Sequence, residues 1–169
     1  MHPGTTTPFI RLATKADQPQ IIALIDGVYT EYGEIICLED ADKDLLDIDG
    51  YYFARGGSFW VLEQAGRIVG SHASHPVATS PKVCTFRRLY LAREWRGTEW
   101  GHRLMQVTID WAREKDFPRI EFWSDTRFKR AHRFFEKFGF HKTGEVRDMH
   151  DGVLPYSEYF FFLDLPSPD

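Results

Sequence analysis

The sequence predicts an α/β fold, and three observations carry that reading. Runs of β-forming residues alternate along the chain with apolar stripes at helical spacing. The stretch from Leu89 to Met105 (LYLAREWRGTEWGHRLM) reads as a strand end, a glycine-bearing turn and a helix start, and a further strand follows at 119–124. That is a βαβ unit, for which a right-handed crossover is expected. Finally, 169 residues without an internal repeat, linker or low-complexity segment suit a single domain, 1–169.

The elements follow in order. Residues 1–7 have no apolar h-region and are expected to form a flexible terminus, not a signal peptide. Residues 9–13 read as a first strand. Thr14 then caps a helix, with Asp17 three residues on and Pro19 in its first turn, where a missing N–H costs little. Ile21, Ile22, Leu24, Ile25 and Val28 give that helix an apolar face, and it ends within 29–33.

From 26 to 49 the chain turns acidic. Asp26, Glu31, Glu34, Glu39, Asp40, Asp42, Asp44, Asp47 and Asp49 are opposed only by Lys43, and most of these carboxylates are expected to be solvated. A second helix is expected over 40–54, with Leu45, Leu46, Ile48 and Tyr52 on its buried side.

Residues 58–64 read as a strand that turns at Ala65-Gly66 into another over 67–75. His72 and His75 lie three apart, so on a strand they face opposite sides and cannot share a metal. Residues 76–81 read as a loop and 82–91 as the strand that delivers the turn. The helix over 99–115 carries a stripe of Trp100, Leu104, Val107, Thr108 and Trp111, and Pro118 follows its end. After the strand at 119–124, Asp125-Thr126 is expected to cap a helix over 127–138. Ala131, Phe134, Phe135 and Phe138 form its apolar side, and Gly139 is its C′ residue. Strands at 140–147 and 156–165 close the fold.

Bulk properties narrow the function. A formal charge of −4 argues against a general nucleic-acid binder, which needs a basic face. Cys37 and Cys84 lie far apart without a CxxC, which fits a reducing compartment and neither a disulfide framework nor a zinc site. No apolar run approaches the ~20 residues that span a bilayer. A cytoplasmic protein without metal or membrane partner is expected.

The chemistry concentrates at Arg96 to Gly101. The first N–H groups of a helix lack intrahelical acceptors, and the macrodipole favours negative charge there. Gly97 and Gly101 lack Cβ, so a phosphate can approach the backbone and the helix can lie close to its strand.

Arg96, Gly97 and Gly101, following the strand end Leu89-Tyr90-Leu91, resemble the acetyl-CoA motif of the GNAT superfamily of acyl-CoA N-acyltransferases. Glu99 stands where that family usually has its middle glycine. A carboxylate facing a pyrophosphate is unfavourable, so Glu99 is expected to point away. Ala131, Phe134, Lys137, Gly139 and Phe140 form a second resemblance, to the family's A-x-x-L/F-Y-x-K-x-G-F element. Two positions depart from it: Phe128 replaces a usual Asn, and Phe135 replaces the Tyr that commonly protonates the leaving thiolate. Phe has no proton to give.

The resemblance implies the GNAT fold, a central mixed twisted β-sheet flanked by helices, with acetyl-CoA as cosubstrate. It implies that the backbone at Leu89, Tyr90 and Leu91 pairs with the pantetheine arm and helps polarise the carbonyl. It also implies that the N–H groups of Gly97, Thr98, Glu99, Trp100, Gly101 and His102 hold the pyrophosphate. Arg96 and Arg103 could add charge-assisted bonds. Arg127, Lys129, Arg130 and Arg133 form either a 3′-phosphate contact or a solvated helix face.

The general base is open. Family members often use a carboxylate or a water chain leading to one, but the strand 82–91 has no Asp or Glu. Glu31, Glu34 and His75 are the candidates, and an amine already deprotonated by burial needs none. The acidic segment would border the acceptor pocket and attract a cationic amine.

The expected function is therefore transfer of an acetyl group from acetyl-CoA to a primary, cationic amine on a small molecule, peptide or protein. The alternative is a non-catalytic acyl-CoA-binding or sensing protein on the same fold, favoured by Phe135 and Glu99. Nucleic-acid binding through 127–137 is disfavoured by the net charge. The closing strands and aromatic surface permit a homodimer, and no motif identifies the acceptor.

Overall fold

The computed structural model describes residues 6–166, so the first five residues of the expected flexible terminus lie outside the described residues. Its elements are β1 (Phe9–Leu12), α1 (Gln18–Glu31), α2 (Ile48–Tyr51), β2 (Ser58–Gln64), β3 (Arg67–Val77), β4 (Ser80–Leu91), α3 (Glu99–Glu114), β5 (Arg119–Asp125), α4 (Lys129–Lys137), β6 (His141–Met149) and β7 (Tyr156–Asp164). The strands form one mixed sheet in the order β1-β2-β3-β4-β5-β7-β6. Each neighbouring pair is antiparallel except β4 and β5, the strands that α3 connects.

Alternation along the strands divides the core between the two faces. Phe59, Val61 and Ala73 pack with Ile21 and Ile25 of α1 and Ile48 of α2. On the opposite face Phe86, Ile120, Phe122 and Phe161 pack with Met105 and Ile109 of α3 and Phe135 of α4. Both faces of the sheet are therefore covered near its centre, which keeps the strands that carry the site out of bulk water.

Four expectations change. The single helix over 40–54 is instead a 3₁₀ turn at Lys43–Leu46, the one-turn α2 and a second 3₁₀ turn at Phe53–Arg55. The Asp47 carboxylate accepts from the Gly50 N–H at 3.0 Å and restarts the chain as α2. The loop over 76–81 is mostly strand: β3 runs to Val77 and β4 starts at Ser80, because Pro76 pairs opposite Cys84 and Val77 opposite Ser80. α4 starts at Lys129, since the Asp125 carboxylate accepts from the Arg127 N–H at 2.9 Å and the Thr126 N–H donates to the Ser157 carbonyl at 2.9 Å. In α3 the buried side centres on Gly101, Leu104, Met105, Thr108 and Ala112, leaving Val107 at its margin.

Candidate active site

The site begins with a defect in β4. Ser71 and Ala73 of β3 are two residues apart, yet their partners Tyr90 and Arg87 are three apart, so β4 carries one extra residue. Arg88 has φ 63°, the left-handed backbone that absorbs it. The Ser71 hydroxyl donates to the Arg88 carbonyl at 2.7 Å and fixes the bulge. The extra residue turns both Arg87 and Arg88 toward the α1–α2 face.

β5 leaves β4 at the same place. The two strands pair only at Val83, Cys84 and Thr85 with Arg119, Ile120 and Glu121. Past that point β4 has no strand partner on its β5 side among the described residues, and a cleft opens. It has one mouth on the side of α3 and α4, which Glu34 and Asp42 also border, and another bordered by Asp40, Lys43 and Asp44, and Arg87, Trp123, Tyr156 and Glu158 line both.

On the α3 side the turn is built as an anion cradle. Gly97 has φ 75°, a conformation side chains disfavour. Thr98 caps α3: its hydroxyl donates to the Trp95 carbonyl at 2.6 Å and accepts weakly from the Trp100 N–H at 3.4 Å. A Cβ on Gly101 would lie 3.1 Å from Leu91 Cδ1, so glycine is what lets α3 sit against β4. Glu99 points outward and pairs with Arg103 at 3.2 Å, as its position required, while His102 stacks on Phe138 with ring centroids 4.7 Å apart. The Arg103 guanidinium also covers the Trp100 ring at 4.6 Å.

Arg96, expected at a phosphate, is committed elsewhere. Its Nε donates to the Leu91 carbonyl at 3.1 Å, and its other nitrogens hold Glu31. That removes the Leu91 carbonyl from the strand edge open to a ligand, whereas Leu89 and Tyr90 line the cleft. The cation that overhangs the turn is Arg130 of α4, whose Nη2 would be 3.0 Å from a Cβ on Gly97. The spacing of Arg127, Lys129, Arg130 and Arg133 left open which of them approaches the turn.

Most carboxylates of the acidic segment are exposed, as expected, but two are buried. Asp42 and Asp44 are each 2% exposed, and neither is solvated. They enclose the Arg88 guanidinium, which donates to Asp42 at 2.9 Å, to both oxygens of Asp44 at 2.6 and 3.1 Å, to the Tyr29 hydroxyl at 3.0 Å and to the Ala41 carbonyl at 3.2 Å. The Tyr52 hydroxyl also donates to Asp44. Burial pushes Asp44 up, but Arg88 and Arg87 more than offset it and hold the carboxyl below its ordinary range. The bulge is thus pinned by ion pairs to the segment that borders the cleft.

The three candidate bases fare differently. Glu31 lines neither mouth of the cleft; hydrogen bonding to Arg96 pulls its pKa below the ordinary value, which makes it a poor base. Glu34 reaches the α3-side mouth, where one oxygen accepts from Arg127 at 2.8 Å and Oε1 is buried without a hydrogen-bond partner among the described residues. His75 reaches the other mouth, with its pKa lowered by burial and Nδ1 2.8 Å from the Pro76 carbonyl.

A fourth group was missed. Glu158 of β7 lies opposite Asp125 of β5 and Arg147 of β6. Its Oε1 accepts from Arg147 at 2.7 and 2.9 Å, while no described residue donates to Oε2. Burial raises its pKa and Asp125 adds to the rise, against the opposing charges of Arg147 and Arg87. No local motif marks it, because the contacts that set its chemistry come from three different strands. Phe135 is packed among Phe122, Phe140 and Phe161, while the hydroxyl-bearing residues that line the cleft are Tyr29, Tyr32, Tyr90, Tyr156 and Ser124, the last with its oxygen 3.2 Å from His132 Nε2.

Comparison with known proteins agrees with this geometry. The family model described as "Acetyltransferase (GNAT) family" matches residues 22–140. The chain is 29% identical over 118 residues to the probable N-acetyltransferase camello of Xenopus tropicalis, covering 69% of this chain and 53% of that protein. It is 28% identical over 137 residues to the uncharacterized N-acetyltransferase YjgM of Escherichia coli (strain K12), covering 79% and 82%. The chain spans about half the length of the camello protein and more of the bacterial one. An acetyltransferase structure from Streptococcus agalactiae superposes with a TM-score of 0.80 at 22% identity, covering 94% of this chain and 98% of that one. The structure of yncA, a putative acetyltransferase from Salmonella typhimurium with its cofactor acetyl-CoA, gives 0.74 at 19% identity and covers 94% of each chain. Together with the bulged β4, the parting of β4 from β5 and the glycine turn, these matches show that the chain belongs to the GNAT family of acetyltransferases.

Proposed function

We propose that this protein transfers an acetyl group from acetyl-CoA to a primary amine. The observation that carries the proposal is the parting of β4 and β5 after three residue pairs, which leaves the Leu89–Tyr90 backbone open beside the N-terminus of α3. The cleft fits the donor on three counts. A β-edge can pair with an amide-bearing arm, a helix N-terminus faces a pyrophosphate, and Arg130 overhangs the Gly97 turn with a compensating charge. The relative solved with acetyl-CoA bound has the same fold.

Bound there, acetyl-CoA supplies an activated thioester. The bulge at Arg88 holds the β4 backbone in one orientation, so its amide dipoles are set before the carbonyl arrives. Glu158 Oε2 takes the proton from the acceptor ammonium and leaves a neutral amine to attack the thioester carbonyl; the C–N bond forms, the C–S bond breaks, and the departing CoA thiolate takes up the proton that the new amide nitrogen releases. The raised pKa of Glu158 makes it a stronger base than an ordinary carboxylate. Asp42 and Asp44 are paired with Arg88 and Glu34 with Arg127, so Glu158 Oε2, to which no described residue donates, is the carboxylate oxygen that would meet a cationic amine.

The test is a thiol-release assay with acetyl-CoA and a panel of primary amines, with products identified by mass. Amine-dependent thiol release with an acetylated product supports the reading. Tight acetyl-CoA binding with no turnover on any amine would replace it with a sensing role.

A further inference from the structure

The acceptor-side mouth contains charges of both signs, and most are already paired. Asp44 is taken by Arg88 and Tyr52. Asp151 accepts from the Tyr156 hydroxyl at 2.7 Å, Glu121 pairs with Arg119 at 3.0 Å, and Arg147 holds Glu158 Oε1. Arg87 differs. Its nearest carboxylate oxygen, on Asp44, is 3.8 Å away, beyond hydrogen-bond reach, and that oxygen already accepts from Arg88 and Tyr52. Among the described residues no acceptor takes a hydrogen bond from the Arg87 guanidinium, which rests 5.6 Å from the Tyr51 ring centroid. Its side chain is 29% exposed, and it lines both mouths.

An arginine with five donors, partly exposed in the cavity and hydrogen-bonded to no described residue, keeps its fork free for a ligand. The bulge at Arg88 put it there, by turning two successive side chains to one face. Glu158 Oε2 lacks a donor in the same cleft, and Arg87 is close enough for its charge to act on Glu158. A cation whose one ion pair, to Asp44, leaves its donors without a hydrogen bond, and a carboxylate oxygen with no donor, line one cavity and complement a molecule that carries an anion beside an amine.

We infer that the acceptor is an amino acid or amino-acid conjugate, whose carboxylate is held by the Arg87 fork while its amine meets Glu158. This rests on the acetyltransferase reading for the amine, but the carboxylate contact is a binding property that holds without turnover. The cavity, about 490 Å³ on this side, sets Tyr51 and Phe160 beside Asp40, Lys43 and Asp151, a mixed and mainly polar lining that by itself selects no one side chain.

The experiment measures binding first. N-acetyl-phenylalanine and its carboxamide are titrated calorimetrically into the protein and into Arg87→Gln, whose fold is checked by circular dichroism. In the wild type the carboxylate should bind at least ~10-fold tighter than the amide, as expected for a charge-assisted bidentate pair. In Arg87→Gln that preference should collapse toward one, and Arg87→Lys, which keeps the charge but not the fork, should fall between. Equal affinities in the wild type would overturn the inference whatever the variants do, and so would an unchanged preference in a folded Arg87→Gln. Rates with phenylalanine and phenylalaninamide then separate the two readings. A carboxylate preference in binding with no turnover removes the catalytic reading and leaves Arg87, while turnover of both acceptors at equal kcat/KM removes Arg87 and leaves catalysis.

Discussion

The glycine turn and the ion-paired bulge are built over different distances in sequence. On the α3 side the strand end, Gly97, the Thr98 cap and Gly101 are near neighbours in the chain, and their roles follow from backbone geometry. At the bulge Arg88 finds Asp44, Asp42 and Tyr29 across 44, 46 and 59 residues. A turn motif announces itself in a few residues, whereas a buried ion pair looks like two unrelated surface charges until the chain folds. The glycine turn is a generic anion cradle, whereas the bulge sets the side chains, Arg87 among them, that bear on acceptor choice.

The largest effect should come from breaking the long-range half. Arg88→Met removes the cation from two buried carboxylates and should cost about 3–5 kcal/mol in urea unfolding, because Asp42 loses its counter-ion and Asp44 keeps only Arg87 at 3.8 Å. A loss within the ~0.5 kcal/mol of an ordinary surface substitution would mean that the network does not hold the bulge.

Next, Glu158→Gln should lower kcat by ~100-fold or more with little change in the KM for acetyl-CoA. The base must be ionised, so in the wild type kcat should fall as pH drops through a value above the ordinary 4.5 of glutamate, and that limb should vanish in the variant. A limb unchanged by the substitution would return the role to Glu34 or His75.

A smaller effect sharpens the local half. Arg130→Ala should raise the KM for acetyl-CoA roughly 10-fold, since one phosphate contact is lost while the N–H groups remain. Arg103→Ala should leave it unchanged, because Arg103 is turned onto Trp100 and Glu99.

The smallest concerns His72, fully buried beneath α3 with Nδ1 3.2 Å from the Leu104 carbonyl. Burial lowers its pKa to about 4 from 6.5, so between those values the unfolded chain binds a proton that the native state does not. Stability should therefore fall as pH drops from 6.5 toward 4, by about 1 kcal/mol at pH 5.5 from this group. His75 and His132, also lowered by burial, add slope of the same sign, so His72→Gln should reduce the pH dependence and not abolish it.

The same division explains what could be read in advance. The strand–turn–helix at Leu91 to Gly101, the outward Glu99 and the C′ role of Gly139, with φ 99°, are local and were legible. Which carboxylates of the acidic segment are buried was not legible, because nothing near Asp42 and Asp44 in sequence is basic except Lys43. Arg88 lies in a strand whose alternation hides a bulge, since an inserted residue is invisible until the neighbouring strand sets the register. Arg96 fitted its motif by position, but its side chain went to Glu31, 65 residues away. Glu158 sits on a closing strand with no motif, and only the packing of β5, β6 and β7 gives it a role.

The measurement that tests the central claim most directly is thermal unfolding with and without saturating acetyl-CoA, in the wild type and in Arg130→Glu. Charge reversal at Arg130 sets a carboxylate over the α3 N-terminus without touching the core, whereas a side chain at Gly101 would strike Leu91. Ligand at ~100 times its Kd adds about 2.7 kcal/mol to a native state that alone binds it. The expected result is a clear rise in the wild-type midpoint that is strongly reduced in the variant. No rise at millimolar acetyl-CoA, or an equal rise in both proteins, would contradict the assignment of this cleft as the acetyl-CoA site.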